Sequence, residues 1–199
     1  MDLARIFHGA GLKYVEHGNW RARVRPGDFT PEACLVHHTA STNLDATLKT
    51  VINGRPDLIG PLCNVLVDNA GVLHLISAGR ANHAGTGDAR VLANMRRGYP
   101  PKGMAKALGY TEQDVVGNGI FVGFEVLSPG KPTVELPQAA WTATAQATAA
   151  IQRYLKKRTK ARVIGHGEFT SRKPDPQFGR GPDAHINMDR LRQAVVTYL

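Results

Sequence analysis

Short apolar runs alternate along this chain with stretches whose apolar residues recur every three or four positions. Ala33 to Val36 is a continuous apolar run and predicts a buried strand. Leu44, Leu48, Val51 and Ile52 then recur at helical spacing behind the candidate caps Thr42 and Asn43. Cys63 to Val67 and Val72 to Ile76 are joined by Asp68-Asn69-Ala70-Gly71, turn formers between two β-rich segments, which predicts a hairpin. Residues 85–119 are rich in glycine, proline and basic side chains, and predict long loops with at most short helices. Ile120 to Val126 is a further strand. Pro137 opens a helix at its favoured first position, with Trp141, Ala145, Thr148, Ile151 and Leu155 on one face. Arg162 to Ile164 predicts a short strand, and Asn187 caps a last helix whose inner side carries Leu191, Ala194, Val195 and Tyr198. Strands alternating with helices place the chain in the α/β class, a sandwich rather than an all-β or all-helical fold.

Composition narrows this only in part. The 199 residues suit one domain, expected over residues 20–199 with 1–19 as an N-terminal extension. A hydrophobic fraction of 42% and a charged fraction of 21% exclude a disordered chain. No apolar run approaches the roughly 20 residues a bilayer requires, so membrane insertion is not expected. Met1-Asp2-Leu3-Ala4-Arg5 lacks the basic flank and long apolar stretch of a secretory signal. Cys34 and Cys63 sit within apolar runs and read as core thiols. The net charge of +9 favours a polyanionic partner, yet nucleic acid, anionic wall polymers and membrane surfaces all qualify. Nucleic acid is not expected, because finger spacing, interleaved aromatics and a basic helix are lacking.

Candidate chemistry sits where strands end. His37 and His38 follow the first strand, and alternation lets only one of them point into a given cleft. His166 lies in Gly165-His166-Gly167-Glu168, again at a strand end, and Asp175 follows nine residues later in Lys173-Pro174-Asp175-Pro176. Two neutral imidazoles and a carboxylate make a three-ligand catalytic zinc set with a fourth position for water. The bland reading stays open at this point: hydrogen-bonded histidines that merely close strand ends. Spacing between distant segments does not choose.

Five blocks in order do choose. Val36-His37-His38-Thr39-Ala40-Ser41, Cys63-Asn64-Val65-Leu66-Val67-Asp68 with Gly71-Val72, Asn82-His83-Ala84-Gly85, Gly123-Phe124-Glu125-Val126, and Gly165-His166-Gly167-Glu168 through Lys173 and Asp175-Pro176 resemble the type-2 N-acetylmuramoyl-L-alanine amidases. That family includes phage endolysin amidases and the peptidoglycan recognition proteins. The resemblance runs from about Trp20 to the C-terminus and is nearest to amidase domains of phages that infect actinobacteria.

The resemblance implies a single α/β domain with a central mixed β-sheet flanked by helices. It implies Zn2+ on His37, His166 and Asp175, with His38 pointing away. It also implies Glu125 as general base, Lys173 as the cation that steadies the oxyanion, and a groove lined by His83, Asn82 and Thr39. The expected substrate is bacterial peptidoglycan, cut between the lactyl group and L-alanine by a monomer. The expected setting is an endolysin made in the host cytoplasm, with any wall-binding module removed. A recognition domain of the same fold that binds without cutting is the alternative. The chain departs from the family in Gln177 to Ile186, a longer and glycine-rich link containing Gly179-Arg180-Gly181-Pro182.

Overall fold

The computed structural model describes residues 1–157, 160–179 and 184–199. In chain order the elements are α1 (Leu3–Gly9), β1 (Tyr14–Glu16), β2 (Ala33–His38), α2 (Leu44–Asn53), β3 (Gly54–Arg55), β4 (Leu58–Ile59), β5 (Val65–Val67) and β6 (Leu73–Leu75). They continue with β7 (Thr86–Gly87), α3 (Ala89–Arg96), β8 (Val115–Val116), β9 (Phe121–Val126), α4 (Gln138–Tyr154), β10 (Val163–Gly165), α5 (His166–Phe169) and α6 (Ala184–Val196).

Six strands form one sheet in the order β1-β6-β5-β9-β2-β10. Only the β5–β6 pair is antiparallel, so the sheet is mixed. That antiparallel pair is the expected hairpin. Its turn is held by Asp68, whose Oδ1 accepts from the N–H groups of Ala70 and Val72, while Gly71 takes the positive φ that the turn requires.

Strand alternation builds the layers. Cys34 and Val36 of β2, Val122, Phe124 and Val126 of β9, and Val163 of β10 face a core shared with α1, α4 and α6. Ala33, Leu35, Phe121 and Ile164 face the other way, against Val91, Leu92 and Met95 of α3 and Phe169 of α5. Leu66 of β5 meets Val51 of α2 on that same side. Each fully buried leucine or phenylalanine contributes about 1.5–3 kcal/mol. The alanine-rich inner face of α4 lets this long helix lie close to the sheet. Of its predicted face, Ala145, Thr148 and Ile151 are sealed, whereas Trp141 and Leu155 sit at the margin.

Several details differ from expectation. Residues 1–19 are not an appendage: Leu3, Ala4 and Phe7 enter the main core, and β1 pairs with β6 as an edge strand of the sheet. Such a short, mostly exposed strand has no apolar run to announce it. Asn43 is the cap of α2, accepting from the Ala46 N–H. Pro137 stands one residue before the first turn of α4. The last helix starts upstream of Asn187, which is fully buried inside it. Cys34 and Cys63 are buried free thiols. Within the glycine-rich link, Arg180 to Asp183 lie outside the described residues.

Candidate active site

β2 positions the first histidine. Leu35 points toward α3, so His37 projects on that same side, while His38 joins the opposite face beneath Gly130. His38 Nδ1 accepts from the Gln177 N–H at 2.9 Å and so braces the chain just past Asp175. β9 runs beside β2 with Glu125 paired to His37, which puts its carboxylate on the same side.

The second histidine is held by α5. Glu168 Oε2 accepts from the Gly165 N–H, and both Glu168 oxygens receive the guanidinium of Arg192 on α6 at 2.9 Å. Buried carboxylates persist only with such partners. This anchors the one-turn helix, and with it His166, to the last helix. Gly167 gives its N–H to the Asp175 carbonyl at 2.7 Å, and the Lys173 carbonyl crosses so near that a Cβ at Gly167 would stand 2.6 Å from it. The glycine thus lets the Lys173–Asp175 segment fold back over the site.

The result brings His37, His166 and Asp175 together, their ligand atoms all within 4.8 Å of one another. Asp175 Oδ2 lies 2.9 Å from His37 Nδ1 and 3.3 Å from His166 Nδ1. All three side chains are buried. Burial first, and His166 second, lowers the His37 pKa to about 4, so the imidazole is uncharged at neutral pH. Burial alone would raise the Asp175 carboxyl, but the two imidazoles overcome it and hold Asp175 well below the ordinary range.

The donor inventory tests whether a metal fits. His166 Nε2 lies 3.1 Å from the Ala84 carbonyl, which can only accept. A neutral His166 therefore carries its proton on Nε2 and turns the lone pair of Nδ1 toward a carboxylate oxygen. With one further proton His166 donates to Asp175; without it the two lone pairs face each other, and a cation between them satisfies both. Backbone support of this kind is the usual accompaniment of a metal-binding histidine. The cluster His17, His74 and Asp68 makes the contrast. There His74 donates from Nε2 to Asp68 at 3.2 Å and accepts from His17 at 2.8 Å, so protons alone satisfy the chain. His74 is a partnered residue of strand β6.

A cleft of about 310 Å³ opens over His37, His166 and Asp175, lined also by Thr39, Asn82, His83, Glu125 and Lys173. All the residues singled out from the sequence thus meet at one place. Glu125 Oε2 is sealed with no hydrogen-bond partner among the described residues. Burial, then the nearby Asp175 charge, pushes its pKa well above the usual value, against the pull of Lys173 and Arg55. Thr39 has its hydroxyl engaged by the backbone of Ser41 and Ser128. Asn82 donates to the Ile59 carbonyl at 2.9 Å and so ties the β3–β4 hairpin to the rim.

Sequence reasoning missed three residues here. Arg55, on that hairpin, lines the cleft and pairs with Asp57. Asn64 clamps the middle of β9, its Oδ1 accepting from the Gly123 N–H at 2.8 Å. Asn118 accepts from three successive N–H groups, those of His83, Ala84 and Gly85. The partners of Asn64 and Asn118 lie far along the chain, so no local pattern marks them.

Comparison with known proteins places this geometry. The chain is similar in fold to the endolysin N-acetylmuramoyl-L-alanine amidase LysCS from Clostridium intestinale, at 12% identity and a TM-score of 0.57 over 91% of this chain and 93% of that one. It is similar to the amidase AmiD from E. coli, solved with anhydro-N-acetylmuramic acid-L-Ala-D-gamma-Glu-L-Lys, at 16% identity and a TM-score of 0.55 over 87% of this chain and 61% of that one. The Ph2119 endolysin of a Thermus scotoductus bacteriophage matches at 14% identity and a TM-score of 0.53, over 92% and 99%. No curated protein matches by sequence. The family described as Amidase_2, N-acetylmuramoyl-L-alanine amidase, matches residues 27–178. Three quarters of the sequence carry that match, and the chain belongs to the N-acetylmuramoyl-L-alanine amidase family.

Proposed function

We propose that this protein is a zinc-dependent N-acetylmuramoyl-L-alanine amidase that hydrolyses the amide between the lactyl group of N-acetylmuramic acid and L-alanine. The observation that carries this is the meeting of two imidazoles and a carboxylate beside Glu125, whose Oε2 has no hydrogen-bond partner among the described residues. Two neutral imidazoles and one carboxylate suit zinc among the common metals and leave it an open position.

When bound, zinc supplies Lewis-acid polarisation of the scissile carbonyl and water made acidic enough to attack near neutral pH. The protein supplies the rest. Glu125, lifted in basicity by burial, takes the proton of the attacking water and hands it to the leaving amine. Lys173, at the exposed rim beside Asp175, steadies the charge that develops on the carbonyl oxygen. Asn82, His83 and Thr39 line the groove that seats the substrate. Burial of the three ligands keeps bulk water from screening these charges.

The partner is bacterial peptidoglycan, and the surplus positive charge favours an anionic wall. We assign the protein to phage-encoded lysis of a host cell, on the strength of the endolysins among its structural relatives. A recognition domain that binds without cutting has no use for Glu125 or for a complete ligand set. The test is incubation of zinc-loaded protein with purified peptidoglycan, followed by end-group identification. New alanine amino termini without new reducing sugars are expected. Zinc-replete protein that releases neither end group overturns the catalytic reading.

A further inference from the structure

His83 stands at the edge of the cleft, yet both of its ring nitrogens face the protein. Nε2 lies 3.2 Å from the carbonyl of Phe121 on β9, and Nδ1 lies 3.2 Å from Nε2 of His37. The Phe121 carbonyl can only accept, so a neutral His83 carries its proton on Nε2 and offers a lone pair at Nδ1. That lone pair receives a proton held on His37 Nε2, and a neutral His37 so protonated turns the lone pair of its Nδ1 toward Asp175 Oδ2, 2.9 Å away. One backbone carbonyl thus sets the direction of the whole relay, from Phe121 through His83 to the metal-facing atom of His37.

The fold invests in holding that ring. It lies against Gly123, where a Cβ would stand 2.6 Å from His83 Cγ and 2.7 Å from Nδ1. Any other residue at 123 would drive the imidazole off the strand. The Asn118 carboxamide oxygen gathers the N–H groups of His83, Ala84 and Gly85 at 3.1, 2.8 and 3.1 Å, which fixes the loop in register. The His83 and His37 rings meet edge to face, with planes at 90°. The next residue of the loop, Ala84, performs the matching service for His166 through its carbonyl.

We propose that His83 is a positioning residue that fixes the proton of His37 on Nε2, so that the Asn82–Gly85 loop, clamped by Asn118 and seated on Gly123, sets the tautomers of both histidine ligands. The proposal rests on the metal reading of the site. It differs from a role in substrate contact, in which His83 acts on the groove rather than on His37.

The test reads metal affinity and tautomer rather than turnover. Long-range 15N–1H spectra of the metal-free protein at neutral pH are expected to show His37 protonated on Nε2. In His83→Phe, which keeps the ring and loses both nitrogens, that preference is expected to disappear and zinc affinity to fall about 10–100-fold by chelator competition. His83→Asn retains an acceptor near the Nδ1 position and is expected to recover much of the loss. Gly123→Ala, which displaces the ring while keeping both of its nitrogens, is expected to weaken zinc binding as well. Wild-type His37 protonated on Nδ1 overturns the proposal. So does His83→Phe with unchanged zinc affinity and tautomer but a raised KM, the result that substrate contact requires. The tautomer is read without metal, so wild-type protein that takes up no zinc sinks the zinc reading while the His37 spectrum still decides this one.

Discussion

His37 and Glu125 sit directly opposite each other on the adjacent parallel strands β2 and β9, their Cα atoms paired in register. Alternation sends both side chains to one face, so this single pairing places the proposed metal ligand and the proposed base within the same cleft. A slip of one residue would exchange Glu125 for a core position and bring Phe124 to the cleft beside His37.

Glu125→Gln is expected to lower turnover by about 10²–10⁴-fold while bound metal stays stoichiometric. The same change is expected to stabilise the metal-free fold at neutral pH. Burial holds the folded-state pKa above the unfolded one. Below the unfolded value both states are protonated, and the group contributes nothing to the pH dependence. Above it the unfolded chain ionises first, which favours unfolding. The stability gap between variant and wild type should therefore widen from about pH 4 to pH 7, measured by denaturant titration of metal-free protein. An equal gap at both pH values would show that burial does not raise Glu125.

Asp175→Ala removes the charged member of the ligand set and leaves two imidazoles. Zinc retention after dialysis, measured by elemental analysis, is expected to fall by more than the roughly 100-fold that outer partners contribute, with activity lost in parallel. A zinc-replete, active variant would mean that the third ligand lies elsewhere.

Lys173→Ala should reduce kcat by about 10²–10³-fold with little change in KM and none in metal content, as for loss of an oxyanion partner. A rise in KM at constant kcat would instead mark Lys173 as a substrate-binding cation.

Arg192→Met tests the anchor of α5. It strips the buried Glu168 carboxylate of its guanidinium partner and is expected to destabilise the fold by about 3–5 kcal/mol in chemical denaturation. Adding Glu168→Gln should recover part of that loss, because the buried charge that Arg192 balanced is then removed. A single variant as stable as wild type would show that the pair does not hold His166 in place.

Much of this architecture was legible from local pattern. The runs at 33–36 and 120–126 became β2 and β9, and the Asp68–Gly71 turn became the β5–β6 connection. Long helical periodicity marked α2 and α4. The edge strand β1 and the two-residue ladders were not legible, because their residues gain structure from a neighbour rather than from their own sequence. His37 and Asp175 stand 138 positions apart and Asn118 reaches back 33 to 36 residues, so no spacing rule relates them.

By itself the sequence determined the fold class, the strands that carry the site, and through its ordered motifs the residue types that converge there. The tertiary structure alone decided that His166 Nε2 meets the Ala84 carbonyl, that Glu125 Oε2 has no partner among the described residues, and that Leu3, Ala4 and Phe7 enter the main core. The reason is physical: periodicity is written between residues two to four apart, whereas tautomers and pKa values are set by groups that only folding brings within hydrogen-bonding distance.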